Sequence, residues 1–425
     1  MSKGTDSVVV KNARIVTPVT GEGELWRMAE YSPGAMWIDA GCIRWIGVQA
    51  ELPAEATKAT MIDAQNRLVT PGFVDCHTHP VFGRHRAHEF ELRIKGATYV
   101  EISHAGGGIR FSVRDLRQTS KEELVLKLLP RLDSFIAHGT TTIEAKSGYG
   151  LSVEDELKSL EVLQALSRQH PIDIVPTFLG AHEIPDEYRD RREQYIELVI
   201  KDMLPRVAEG RLARFIDIFC EDHVFTAAEA RRILLAGKDY GLRPKIHADQ
   251  LTDNGGAEVA AEVQAVSADH LEYTPPEMDG RLQEAGVVPV MLPGADFFLS
   301  SSLYGPARRM IASGLPVALA TDFNPGTCMC ENMQLILTLA ALQLKMTPAE
   351  ALTAATLHAA MAIDMQHRVG SLEAGKQADF VIWHAESLSE LPYHFGINHV
   401  WQVFKRGERI HETATHPKSG VEDDD

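Results

Sequence analysis

From Gly72 to Thr321 the chain alternates short apolar runs with longer stretches of helical periodicity, and this alternation restricts the fold more than any other feature. The apolar runs are 72–76, 140–145, 172–178, 215–219, 244–247, 265–269, 287–291 and 316–321. Each has the length of a buried strand, and strands separated by helical stretches predict parallel pairing through crossover helices. One helical stretch, 154–169, repeats Leu157, Leu160, Leu163 and Leu166 at every third position; another covers 226–240. Eight such units over this length predict an α/β fold, a TIM-like (β/α)8 barrel.

The flanks read differently. Short β-like runs at 8–10, 14–16, 36–39, 43–46 and 61–63 are separated by Gly and Pro, and their period-two pattern predicts a small antiparallel sheet or sandwich. After Thr321, apolar stripes at 331–345 and 348–363 predict helices, with Thr347-Pro348 supplying an N-cap and a first-turn proline. Strand-like runs return at 369–372, 375–383 and 400–405, and these are expected to join the N-terminal sheet. The expected organisation is therefore a β-sandwich domain built from both chain ends (1–70 plus 366–415), a barrel over 71–365, and a disordered acidic tail at 416–425.

Charge and cysteine usage narrow the partners. A formal net charge of -17 argues against a nucleic-acid backbone or an anionic membrane as the main partner, and leaves a small-molecule substrate. Cys42, Cys76, Cys220, Cys328 and Cys330 form no CxxC pair, so a reducing, cytoplasmic setting is expected. The first seven residues carry no apolar leader, and no apolar run is long enough to span a bilayer. Cys328 and Cys330 are expected to be packing or loop residues.

Catalysis in a (β/α)8 barrel sits at the C-terminal ends of the strands, and metal-capable residues gather there. The first strand runs into His77-Thr78-His79, and residues two apart on a strand share a face, so both imidazoles can reach one ion. Gly180-Ala181-His182-Glu183 follows the third strand. The fifth ends in Lys245-Ile246-His247-Ala248-Asp249-Gln250, the sixth in Ala268-Asp269-His270-Leu271-Glu272, and the eighth in Ala320-Thr321-Asp322-Phe323-Asn324. His77, His79, His247 and Asp322 together can hold one metal ion and leave a coordination position open for an activated water. His270 and His182 are then available to orient the nucleophile, polarise a carbonyl or shuttle a proton. Asp249 and Glu272 either cap neighbouring turns or take part in the chemistry.

With these residues in view, the sequence resembles the amidohydrolase superfamily of metal-dependent hydrolases, from Pro71-Gly72-Phe73-Val74-Asp75-Cys76-His77-Thr78-His79 to Val369-Gly370-Ser371-Leu372-Glu373-Ala374-Gly375-Lys376-Gln377-Ala378-Asp379. The resemblance implies a barrel beside a small β-sandwich. Members with two metals bridge them by a lysine ending the fourth strand. Here that strand runs into Phe219-Cys220-Glu221, which implies one zinc or iron ion per subunit.

A narrower resemblance rests on the run from His79-Pro80-Val81-Phe82-Gly83-Arg84 to Glu89-Phe90, on Gly106-Gly107-Gly108-Ile109, on Lys146-Ser147-Gly148-Tyr149-Gly150-Leu151, and on Asp322-Phe323-Asn324-Pro325-Gly326-Thr327. It implies hydrolysis of the cyclic amide C–N bond of 4-imidazolone-5-propanoate, giving N-formimidoyl-L-glutamate in histidine degradation, by metal-activated hydroxide. Carried over, it implies that Arg86 binds the propionate. Tyr149, His182 and Gln250 would contact the ring, and Asn324, Gly326 and Thr327 would hold substrate or product. His270 would stand beside the hydroxide. Some relatives place Glu where Gln250 stands. Gln does not titrate, so Gln250 would orient substrate while His270, His182 and Asp322 carry the proton work. The family resemblance also suggests a homodimer. The competing readings are another amidohydrolase, such as a heterocycle deaminase or cyclic amidase, and a non-catalytic binding or assembly relative.

Overall fold

A computed structural model describes residues 7–21, 25–97, 101 and 107–413. The expected acidic tail at 416–425, residues 1–6 and Gly106 lie outside the described residues.

Two eight-stranded sheets organise the chain. The first contains β1 (Val8–Pro18), β2 (Met28–Asp39), β3 (Cys42–Val48), β4 (Thr60–Asp63) and β5 (Leu68–Pro71), joined by β14 (Phe380–Trp383), β15 (Val400–Lys405) and β16 (Glu408–Glu412). The second runs in sequence order through β6 (Phe73–Asp75), β7 (Thr140–Lys146), β8 (Asp173–Ala181), β9 (Phe215–Cys220), β10 (Arg243–Ala248), β11 (Ser267–His270), β12 (Val288–Met291) and β13 (Ala318–Leu319). All of its pairings are parallel. It closes through a parallel bridge between Thr78 and Phe323, just past the ends of β6 and β13. The (β/α)8 barrel predicted from the alternation is this sheet.

The small sheet departs from the expectation in pairing. It is mixed, not antiparallel: β1 runs antiparallel to β2 but parallel to β4 and β5. The runs at 8–10 and 14–16 are one strand with register shifts between Val10 and Ile15. Alternation along a strand reports which face is buried and says nothing of the partner's direction. Segment 375–378 is not a strand of the sheet but ties back to the start of β3, where Ile43 N donates to Lys376 O at 2.9 Å and Ala378 N to Gly41 O at 2.9 Å. The predicted helix at 348–363 starts as expected, with Thr347 and Glu350 forming a capping box, but widens into a π-turn over Ala354–His358 before ending at Met361.

Inside the barrel, period two on each strand sorts the side chains into layers. Val74, Val175, Phe215, Val288 and Ala318 fill the lower layer together with Ile363. Burying a side chain the size of Phe215 is worth about 1.5–3 kcal/mol. On β9 and β10 the inward positions above this layer are polar or charged. Asp217 follows Phe215 on β9, and Lys245 and His247 share the inner face of β10. The barrel and the small sheet meet at a polar seam: Asp173 at the start of β8 lies 2.8 Å from Lys405 Nζ and 2.7 Å from Arg406 Nη2, and Lys405 also reaches Asp379 at 2.7 Å. Among the described residues, no helix is long and apolar enough to cross a membrane.

Candidate active site

The three predicted histidine ligands converge. His77 Nε2 and His247 Nε2 lie 3.2 Å and 3.3 Å from His79 Nε2. Asp322 Oδ1 stands 3.5 Å from the Nε2 atoms of both His77 and His79. All four residues are buried. Donors about 2.0–2.1 Å from a tetrahedral ion are about 3.3–3.4 Å apart, so the spacing suits a single ion. Among the described residues, these three histidines form the one group of three or more His, Cys, Asp or Glu side chains compact enough to hold a metal. Cys328 and Cys330 instead belong to the apolar packing of the lower barrel.

Two further carboxylates explain why the Nε2 atoms of His77 and His247 point inward. Asp269 Oδ2 lies 2.6 Å from His77 Nδ1, and Asp217 Oδ1 lies 3.2 Å from His247 Nδ1. A carboxylate on Nδ1 holds the proton there and leaves the Nε2 lone pair as the donor. Burial, together with nearby Lys146 and the neighbouring histidines, holds His77 well below the ordinary imidazole range. Burial and His182 do the same for His79. Burial also lowers His247, against the pull of Asp217. All three are thus neutral, as ligands must be.

The turns after the strands aim the remaining groups. His270 and Asp322 have φ of 82° and 53°, left-handed values rare for such residues outside constrained sites. Burial drives the Asp322 carboxyl up to about 7, against the influence of His270. His270 itself is raised to about 9: burial opposes this, but Glu272, whose Oε1 lies 3.7 Å from His270 Nδ1, outweighs it. His182 stacks on His79 with centroids 5.2 Å apart. Its Nδ1 lies 2.9 Å from Gly148 O, and burial drops it to about 3. Its neutral ring therefore donates to that carbonyl and presents Nε2 as an acceptor.

One cavity of about 700 Å³ gathers the rest. His79, His247, His270 and Asp322 line it, as do Tyr149, His182 and Gln250, and so do Arg86, Asn324, Gly326 and Thr327. Fully buried His77 lies behind its wall. Asn324 shapes its own loop: Oδ1 accepts from Gly326 N at 2.8 Å and Thr327 N at 2.7 Å, an Asx turn. The Arg86 guanidinium is held by Glu89 Oε2, 2.7 Å from Nη2 and 3.0 Å from Nε.

Asp249 is a cap: its carboxylate accepts from Gly256 N at 2.9 Å, at the start of helix Gly256–Glu262, and from Thr274 Oγ1 at 2.8 Å. Sequence reasoning misses Asp217 and Glu144, while Glu89, Lys146 and Asp269 enter it only as parts of motifs. Period two on β7, β9 and β11 was the available signal, since it turns Glu144, Lys146, Asp217 and Asp269 inward.

Comparison with known proteins agrees with this geometry. The model of the amidohydrolase family matches residues 68–410. The imidazolonepropionase of Geobacillus thermodenitrificans is 50% identical over 381 residues, 89% of this chain and 90% of the relative. That of Symbiobacterium thermophilum is 49% identical over 95% of this chain and 97% of its own. Among solved structures, 5-methylcytosine deaminase from Klebsiella pneumoniae superposes with a TM-score of 0.74 at 19% identity, covering 96% of this chain and 98% of its own. Guanine deaminase from C. acetobutylicum gives 0.70 at 15% identity, covering 96% and 100%. At these identities the structural likeness speaks for the fold.

Proposed function

This chain belongs to the amidohydrolase family, and from that premise we propose that it is an imidazolonepropionase. It hydrolyses the cyclic amide C–N bond of 4-imidazolone-5-propanoate to give N-formimidoyl-L-glutamate. The observation that carries this reading is that a single cavity is lined both by the histidine–aspartate set and by Arg86. A substrate with a hydrolysable ring and a carboxylate on a short arm matches both features. The relatives at about half identity over nine-tenths of the chain support it.

His77, His79, His247 and Asp322 would hold one zinc or iron ion; the histidine-rich donor set accepts either. Bound there, the ion supplies Lewis acidity that activates a water nucleophile and polarises a carbonyl. The chain supplies the rest. Arg86 takes the propionate in its planar fork. His182 Nε2 accepts from a ring N–H, while Tyr149 and Gln250 hold the ring plane. Asn324, Gly326 and Thr327 form the turn against which substrate or product rests. His270, kept cationic by Glu272, donates to the oxygen that gathers charge as the ring carbon becomes tetrahedral. Asp322 accepts the nucleophile's proton and passes it to the departing ring nitrogen. Gln250 does not titrate, so no acid stands where a heterocycle deaminase would use one.

The deaminase reading is favoured only by the fold-level likeness, and ammonia release separates the two. The acidic chain and its five free cysteines support a cytoplasmic enzyme without nucleic-acid partners, and the family supports a homodimer. The direct test is turnover of freshly generated substrate by metal-replete protein.

A further inference from the structure

Above the apolar layer of the barrel lie five ionisable residues whose side chains are fully buried: Glu144, Lys146, Asp217, Lys245 and Asp269. Desolvating such a group is costly, and apolar residues of similar volume would fill the space at no electrostatic penalty. Packing therefore gives no reason for the cluster. Its geometry does.

Lys146 Nζ lies 2.8 Å from Glu144 Oε1, 2.7 Å from Asp217 Oδ2 and 3.9 Å from Asp269 Oδ2. The last two carboxylates are those that face His247 Nδ1 and His77 Nδ1. Asp217 Oδ1 is occupied by His247 and by the backbone N–H of Ile218 at 2.7 Å, while Oδ2 takes its hydrogen bond from Lys146. Lys245 is placed differently. It donates to Ser267 Oγ at 2.6 Å and Ala362 O at 3.1 Å and lies 3.7 Å from Asp269 Oδ2, on the side of the cluster that faces His77.

We propose that Lys146 is a positioning residue for the metal centre: its buried ammonium anchors Asp217 in the orientation that fixes the donor face of His247. Its fully buried side chain does not line the site cavity. Burial alone would strip its proton, but Asp217, Glu144 and Asp269 outweigh burial and keep it charged. This inference rests on the metal-site reading above.

The test is a double-mutant cycle on zinc affinity, read by competition with a chromophoric chelator on the intact protein, alongside thermal melting. Partners that orient metal-binding histidines are worth about 10–100-fold in affinity. Lys146→Met and Asp217→Asn should each weaken zinc binding by that order, and the double variant should bind within about twofold of Asp217→Asn alone, because both changes break one chain of contacts. A Lys146→Met protein with parental affinity and a lowered melting temperature would make the lysine purely structural and overturn the proposal. Losses that multiply in the double variant would overturn it too. If Lys146→Met fails to fold, Lys146→Met with Glu144→Gln removes one charge of each sign and faces the same criterion. A parent protein that binds no zinc or iron would bring down the metal-site reading, and this inference with it. A parent that binds one ion with all variants unchanged would bring down this inference alone.

Discussion

Asp269 Oδ2 lies 2.6 Å from His77 Nδ1, with neither side chain exposed to solvent. That contact decides which nitrogen of His77 faces the other donors. Asp269→Asn keeps the shape but removes the charge, and its amide can turn an N–H toward Nδ1. Zinc affinity should fall by about 10–100-fold, as expected for a lost partner of a metal-binding histidine. Turnover at limiting metal should fall with it and recover at high zinc. Equilibrium dialysis against graded zinc measures the first, and unchanged affinity would contradict the account.

Arg86 is expected to read the substrate's carboxylate. A charge-assisted hydrogen bond is worth about 1.5–3 kcal/mol, so Arg86→Ala should lower kcat/KM by about 10–100-fold, mostly through KM. An unchanged KM would remove Arg86 from substrate binding.

Gly326 offers a subtler probe of the same contact. A Cβ added there would sit 2.4 Å from Arg86 Nη1 and 3.0 Å from its Cζ. Gly326→Ala should therefore displace the guanidinium and raise KM, with little change in melting temperature because the flexible arginine can give way. A parental KM would show that the fork is not held where substrate needs it.

The seam between barrel and small sheet gives a pH prediction. Burial opposes the ionisation of Asp173, but Lys405, Gln377 and Arg406 overcome it and hold the carboxyl below its ordinary value. The unfolded chain then takes up a proton near pH 3.9 that the folded chain refuses. The stabilisation is complete above that value and is lost as pH falls through the depressed folded value. Asp173→Asn should cost about 1–3 kcal/mol at pH 7, and its melting temperature should decline less steeply than the parent's between pH 5 and 3. Calorimetry across that range checks this; an equal gap at both ends would contradict it.

Much of this architecture is legible in the sequence because the barrel repeats one rule eight times. Apolar runs bounded by turns become strands, and the residues that end them gather at one face of the barrel. His77, His79, His247 and Asp322 could be placed together without knowing any distance, since fold class alone brings strand ends to one face. The charged layer beneath them was not legible in the same way. Lys146 and Asp217 are 71 residues apart, and alternation shows that each points inward but not that they meet. The parallel pairing of β1 with β4 and β5 was hidden for the same reason: a strand's pattern records its buried face, not its neighbour. The π-turn at Ala354–His358 carries no local signal either, since His358 is held by tertiary contacts to Val317 O and Leu25 O at 3.1 and 2.8 Å.

The most direct measurement follows freshly prepared 4-imidazolone-5-propanoate by loss of ring absorbance, with ammonia assayed in the same sample. The account predicts ring loss without ammonia, abolished by a chelator and restored by zinc or iron. Release of ammonia in step with ring loss, or no turnover by protein carrying one metal ion per chain, would contradict it.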